Sequence, residues 1–227
     1  MNALLMAHGA GSRYLPDLSK QMINVGGRPI IRRTCDQLLS RGISDIVVIA
    51  PDEFKPIFPD IRVHSFGPSY DEPLLHGVHL SLPLWHHNGT FILLGDVLFS
   101  HYSIDWLVTG FGTKFLGRFT PSVVSGKSAP ELFALRIDPS DYEDVLHYCR
   151  WMTTPERPIR SKPRFWSLLG MMSAKDVEGH DSNRYDKNLI MAINDYTDDV
   201  DSLTEYRKFF GPMLRAALLE DENAPNN

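Results

Sequence analysis

Along the first hundred residues, apolar blocks with two different periods take turns. Met1–Ala7 is apolar except for Asn2 and is followed by Gly9, Ala10 and Gly11, the pattern of a buried strand entering a glycine-rich loop. Ile30, Ile31, Cys35, Leu38 and Leu39 recur at helical spacing, so Pro29–Arg41 reads as an amphipathic helix that Gly42 stops. Ile46–Ala50 is a continuous β-branched run, as in a strand covered on both faces, and Arg62–Phe66 reads as a shorter strand. Leu75, Val78, His79 and Leu82 mark one face of a helix over Leu74–Trp85. Thr90–Leu94 is the third strong strand and ends in Gly95-Asp96. Strands alternating with helices predict an α/β domain with a mostly parallel sheet.

The second half is less regular. Lys114–Phe119 and Glu131–Ile137 read as strands around the polar loop Thr120–Pro130, and Asp141–Met152 as a helix. Pro155, Pro158 and Pro163 make Thr153–Pro163 an irregular loop, and Phe165–Met172 reads as another strand. An acidic cluster, Asp198–Asp201, precedes a helix over Leu203–Leu219. Ser202 and Glu205 have the spacing of a capping box for it. Residues 1–219 are expected to form a single domain, and the polar end EDENAPNN, residues 220–227, a disordered tail.

Composition narrows the classes. Of 227 residues, 43% are apolar and 22% charged, which fits a soluble globular chain and excludes a disordered one, a coiled coil or a collagen-like repeat. No apolar run reaches the roughly 18 residues of a membrane helix. The N-terminus lacks the basic stretch of a secretory signal, so a cytoplasmic location is expected. With 23 Lys and Arg against 28 Asp and Glu the net charge is −5. That disfavours a broad nucleic-acid face but leaves room for a local cationic site for a small anion. Cys35 and Cys149 match no zinc spacing and are expected to be reduced thiols in or near the core.

The chemistry concentrates in AHGAGSRYLPDLSKQMINVGGRPI, residues 7–30. A glycine-rich loop after a buried strand turns several backbone N–H groups toward one point, an anion nest, and Arg13 and Lys20 follow within one loop length. Two cations beside a nest suit a triphosphate. Position 14 is Tyr, so the stretch is not a dinucleotide fingerprint, and no Gly-Lys-Ser/Thr makes it a Walker loop. Gly-x-Gly alone is equally an ordinary turn after a strand.

The longer pattern Leu5, Ala7, Gly9, Gly11, Arg13, Lys20, Gly27 and Pro29 resembles the signature of nucleotidyltransferases with the GT-A-like fold, with two departures, His8 and Ser19. FILLGDVLF, residues 91–99, and TDDVDSLTEYRKFF, residues 197–210, resemble that family's two metal-binding segments. The resemblance implies a three-layer α/β/α sandwich, Rossmann-like, around a mostly parallel mixed sheet. It implies an enzyme that moves an NMP group from an NTP to a sugar 1-phosphate or a similar phosphorylated or hydroxylated acceptor, releasing pyrophosphate. Arg13 and Lys20 would be catalytic. Ala7, His8, Gly9, Ala10, Gly11, Ser12 and Asp71 would bind the nucleotide. Asp96, Asp201 and Asp199 would hold Mg²⁺, and Glu131 and Arg118 would bind the acceptor.

Each motif has a plainer reading: Asp96 as a loop cap, the Asp198–Asp201 cluster as a solvated turn favoured by a helix dipole, Arg118, Lys127 and Lys162 as surface cations. Two other functions stay open. One is a glycosyltransferase using a nucleotide-sugar, disfavoured because Gly95-Asp96-Val97 lacks the Asp-x-Asp such enzymes carry. The other is a non-catalytic nucleotide-binding relative. The expected partners are an NTP and a small phosphorylated acceptor, with no membrane segment, and a homodimer is among the open assemblies.

Overall fold

The computed structural model describes residues 1–8, 20–67, 74–123, 125–154, 164–173, 185–199, 211 and 215–221. In chain order, β1 is Asn2–Met6, β2 Asn24–Val25, β3 Arg28–Pro29, α1 Ile30–Leu39, β4 Ile46–Ile49, β5 Arg62–His64 and α2 Leu74–Leu80. Then come β6 Thr90–Leu94, β7 Val97–Leu98, α3 His101–Thr109, β8 Lys114–Arg118, β9 Glu131–Ile137, α4 Tyr142–Met152, α5 Phe165–Met172, β10 Ile190–Ile193 and β11 Asp198–Asp199.

Seven strands form one sheet in the order β10-β8-β9-β6-β1-β4-β5. β1 lies at its centre, parallel to both β4 and β6. β4 and β5 are also parallel, as are β8 and β10. Only β9 runs the other way, antiparallel to β6 and β8, so the sheet is mixed but mostly parallel. Alternate residues of a strand face opposite sides, and the core divides accordingly. Ala3 and Leu5 pack with Ile31, Cys35 and Leu38 of α1 and Ile104 and Leu107 of α3. Leu4 and Met6 pack on the other side with α2, α4 and α5 through Val78, Val145, Cys149 and Leu168. This is the three-layer sandwich the resemblance implies. The two thiols are free and buried on opposite faces of the sheet, and burial pushes each up to about 12, as inert core cysteines require.

Several sequence expectations change. Phe165–Met172 is a helix, not a strand: a short, mostly apolar run does not distinguish a buried strand from a buried helix. Here Phe165, Leu168 and Leu169, at helical spacing, meet the sheet. The helix expected over Leu74–Trp85 ends at Leu80, and Leu82–Leu84 around Pro83 tightens into a 3₁₀ turn. The sequence reading assigned no element to α3 or β10. The expected tail begins with two engaged residues: Glu220 and Asp221 lie in a helical turn over 215–221. Glu220 accepts the His101 backbone N–H at 2.8 Å. The buried Arg33 guanidinium donates to the Phe99 carbonyl at 2.6 Å and to Asp221 at 2.7 Å. Residues 222–227 lie outside the described residues, as do the expected cap residues Ser202 and Glu205.

Two positions at the carboxyl end of the sheet yield predictions. Gly117 sits at a register shift between β8 and β9, and a Cβ there would come 2.3 Å from the Glu131 carbonyl oxygen and 2.7 Å from Leu132 Cδ2. Gly117→Ala is expected to lower the unfolding free energy by about 1–3 kcal/mol in urea titration. An unchanged midpoint would show that the ladder has room. His8, just past β1, stacks on Phe66 with ring centroids 5.2 Å apart, and His64 meets the same Phe66 ring edge-on. Burial lowers His8 from 6.5 to about 4, against a backbone hydrogen bond with Ile49 and with help from His64. Between those values the unfolded chain takes up a proton that the fold refuses, so stability falls as pH drops from 6.5 toward 4. His8→Phe should lose less melting temperature across that interval than the parent. Equal losses would place the titration on other groups.

Candidate active site

The carboxyl ends of β1 and β6 meet because Gly95 lets them. Its N–H donates to the Met6 carbonyl at 2.9 Å, and a Cβ would lie 3.0 Å from that oxygen and 3.2 Å from both Ala7 and Ile31 side-chain atoms. Asp96, the next residue, therefore leaves the sheet beside the point where the chain leaves β1. In open α/β sheets this edge is where ligands bind.

Lys20 is brought back to the same edge. It begins a 3₁₀ turn, Lys20–Met22, that leads into the β2–β3 hairpin. The hairpin closes through Gly26 and Gly27, at φ +62° and +85°, with Val25 paired to Arg28. Two left-handed residues in a row make the tight turn whose twist matches the strands. Ile30 at the start of α1 donates to the Ile23 carbonyl at 2.9 Å and locks the hairpin onto the helix. Lys20 Nζ ends 3.9 Å from Asp96 Oδ2, with the side chains 11% and 28% exposed. The sequence-predicted lysine and aspartate are thus together, enclosed but reachable.

Asp199 arrives through a second, two-stranded ladder. β11 pairs antiparallel with β7 and sets Asp199 opposite Val97, the neighbour of Asp96. The approach is fixed by Asp195, which accepts from Ser100 Oγ at 2.5 Å and from the Thr197 N–H at 2.7 Å, and by Thr197 Oγ1, which accepts the Ser100 N–H at 3.0 Å. Asp199 Oδ1 then meets Lys127 Nζ at 3.0 Å.

The predicted acceptor residues join Asp199. Glu131, Asp198 and Asp199 offer carboxylate oxygens all within 4.8 Å of one another, a grouping that could hold a metal ion. Asp198 is already saturated: Oδ2 accepts from Ser122 and Ser125 hydroxyls at 2.6 Å each, and Oδ1 takes the Asp199 N–H and faces Arg118 at 3.5 Å. Burial, first, and the Asp198 charge raise Glu131 above the usual carboxylate range, while Lys127 and Arg118 pull it back. Arg118 departs from the expected acceptor-facing cation. Its side chain is 1% exposed and spent on Glu131 at 2.8 Å and the Thr120 and Lys127 carbonyls. It shapes the site from beneath.

Ala7 is a core residue whose N–H donates to the Ile49 carbonyl at 2.8 Å, and His8 lies at the mouth of the loop. Gly9, Ala10, Gly11, Ser12, Arg13, Asp71 and Asp201 lie outside the described residues. Ser122 and Ser125 carry no role in the sequence reading, and Asp198 enters it only as a member of the acidic cluster. The Ser-x-x-Ser-x-Lys spacing in the polar loop was the available signal.

Hard carboxylate oxygens that remain partly open to water, at Asp96 and Asp199, fit a magnesium ion, which prefers to keep several waters. Asp198, with every oxygen engaged, does not. Among the described residues no helix is long and apolar enough to cross a membrane.

Known proteins resemble this chain in sequence and in fold. A 2-C-methyl-D-erythritol 4-phosphate cytidylyltransferase of Aliivibrio fischeri (strain MJ11) is 29% identical over 136 residues, 55% of this chain and 56% of that protein. The chain thus spans about half the length of the curated relative it matches. The inositol-1-phosphate CTP transferase of T. maritima superposes with a TM-score of 0.63 at 11% identity, covering 99% of this chain and 98% of that one. The CTP:phosphocholine cytidylyltransferase of Streptococcus pneumoniae superposes with a TM-score of 0.57 at 16% identity, covering 93% and 98%. These two likenesses establish the fold. Residues 3–127, more than half of the chain, match the MobA-like NTP transferase domain, and the chain belongs to that family.

Proposed function

We propose that this chain transfers a nucleotidyl group from an NTP to a small phosphorylated or hydroxylated acceptor and releases pyrophosphate. The observation that carries the reading is the Lys20–Asp96 pair at the joined ends of β1 and β6, inside the matched domain. An acceptor oxygen attacks the α-phosphorus in line, the bond to the bridging oxygen breaks, and pyrophosphate departs with the electron pair. Such a reaction asks for positioning and charge stabilisation and for little covalent work by the protein.

Lys20 sits where its ammonium can meet charge building on the α-phosphate. The loop 9–12 would cradle the β- and γ-phosphates with backbone N–H groups, and Arg13 would neutralise the leaving pyrophosphate. Asp96 and Asp199, with Asp201 as a further candidate, would hold Mg²⁺. When bound, that ion supplies charge neutralisation at the triphosphate. Glu131, partly exposed at the start of β9, would contact the acceptor, and Arg118 holds it in place. The relatives named above share a phosphorylated acceptor by name, which supports a phosphorylated acceptor here.

The test is pyrophosphate release with each of the four NTPs, Mg²⁺ and a panel of phosphorylated alcohols and sugars. The parent should turn over with at least one pairing. Lys20→Ala and Asp96→Asn should each cost on the order of 10²–10³ in kcat while leaving the melting curve intact. Near-normal turnover in either folded variant would remove that residue from the site, and a parent inert with every pairing would reject the transfer reaction.

A further inference from the structure

Lys127 is built into its position with unusual thoroughness for a loop lysine. Its carbonyl accepts from the buried Arg118 guanidinium at 2.8 Å and from the Ser122 N–H at 2.9 Å. Gly126, at φ +70°, turns the chain just before it and donates to the Ser122 carbonyl at 3.0 Å. Ser122 and Ser125 tie the same loop to Asp198. The backbone is pinned, so the four-carbon stem is the part left to move. It reaches Asp199 Oδ1 at 3.0 Å, with the lysine and aspartate side chains 16% and 18% exposed.

That contact answers an electrostatic need. Glu131, Asp198 and Asp199 gather three carboxylates within 4.8 Å. Like charges so close disfavour one another's ionisation unless cations stand among them. Arg118 pairs with Glu131 and Asp198, and Lys127 pairs with Asp199 while its charge also acts on Glu131. Another candidate magnesium ligand is treated alike: Asp96 faces Lys20 at 3.9 Å.

We propose that Lys127 is the resident counter-ion of Asp199, displaced when a divalent cation binds and thereby released toward the phosphate oxygens of the substrate. The inference rests on the reading of Asp199 as a magnesium ligand. An ammonium and a divalent cation compete for one carboxylate oxygen, so metal binding frees the lysine, and an anion that captures the freed lysine favours metal binding in return. The coupling is reciprocal because it is a property of the equilibrium and not of the order of events. Lys127 is a positioning residue in this scheme.

The experiment is a Mn²⁺ titration of the whole protein without nucleotide, followed by electron paramagnetic resonance of the free ion. Lys127→Ala and the more conservative Lys127→Gln should bind Mn²⁺ roughly 5-fold or more tightly than the parent. Lys127→Arg, which keeps the pair, should stay near the parent. Asp199→Asn should bind more weakly, and adding Lys127→Ala to it should change nothing further, because the lysine acts through that carboxylate. With Mn²⁺ saturating, Lys127→Ala should weaken pyrophosphate binding. Unchanged or weaker Mn²⁺ binding in both lysine variants overturns the proposal, as does an equal gain in the Asp199→Asn background, which would mark a general charge effect. Undiminished pyrophosphate binding overturns the release step. If Asp199→Asn binds Mn²⁺ like the parent, Asp199 is not a ligand and the proposal falls with that assignment. If Asp199→Asn loses affinity while the lysine variants do not move, only the role of Lys127 fails.

Discussion

Gly95 and the Met6 carbonyl lie 2.9 Å apart across the ends of two neighbouring parallel strands, with Ala7 and Ile31 closing the space where a side chain would stand. From this contact the remaining geometry follows. It lets Asp96 emerge beside the exit of β1 and the N-terminal turn of α1 pack beneath. It also sets the starting point of β7, on which β11 and Asp199 are laid. A methyl group at that position would separate the ends of β1 and β6 and, with them, the lysine and aspartate that face each other above.

The charges around this edge come in graded shells. Nearest the solvent, Lys20 with Asp96 and Lys127 with Asp199 are paired but accessible. Below them Arg118, Glu131 and Asp198 form a network in which Asp198 is fully buried and Arg118 nearly so. A buried charge without partners is costly, and here it is met by two serine hydroxyls, a backbone N–H and a guanidinium. The deep layer is cross-tied, Asp198 through both of its oxygens and Arg118 through both of its terminal nitrogens. The outer layer holds carboxylates that face ammonium groups on flexible stems, an arrangement suited to exchanging one cation for another.

Much of this was legible in the sequence where local pattern and global position agree. The runs at Met1–Ala7, Ile46–Ala50 and Thr90–Leu94 are buried on both faces and carry no competing period, so the central strands could be read directly. The pairing of Lys20 with Asp96 could be anticipated only from the longer motif, since 76 positions separate them and spacing alone carries no contact. Phe165–Met172 misled because a short, mostly apolar segment satisfies either period. α3 was missed although Ser100 caps it, accepting the Ser103 N–H at 2.9 Å, and Ile104 and Leu107 share a buried face. Arg118 misled in a different way. A lone arginine beside a glycine reads as a surface cation, and only the fold shows that Glu131 and Asp198 converge on it.

Arg33 ties the order of synthesis to the order of folding. Its guanidinium sits beneath the surface on α1, yet one of its partners, Asp221, is 188 residues further along the chain. A nascent chain can lay β1 against β4 and β6 as soon as those strands are available. It cannot satisfy this arginine until the 215–221 turn has cleared the ribosome. The arginine therefore stays short of one carboxylate partner until the 215–221 turn arrives, and that turn acts as the clasp that seals it.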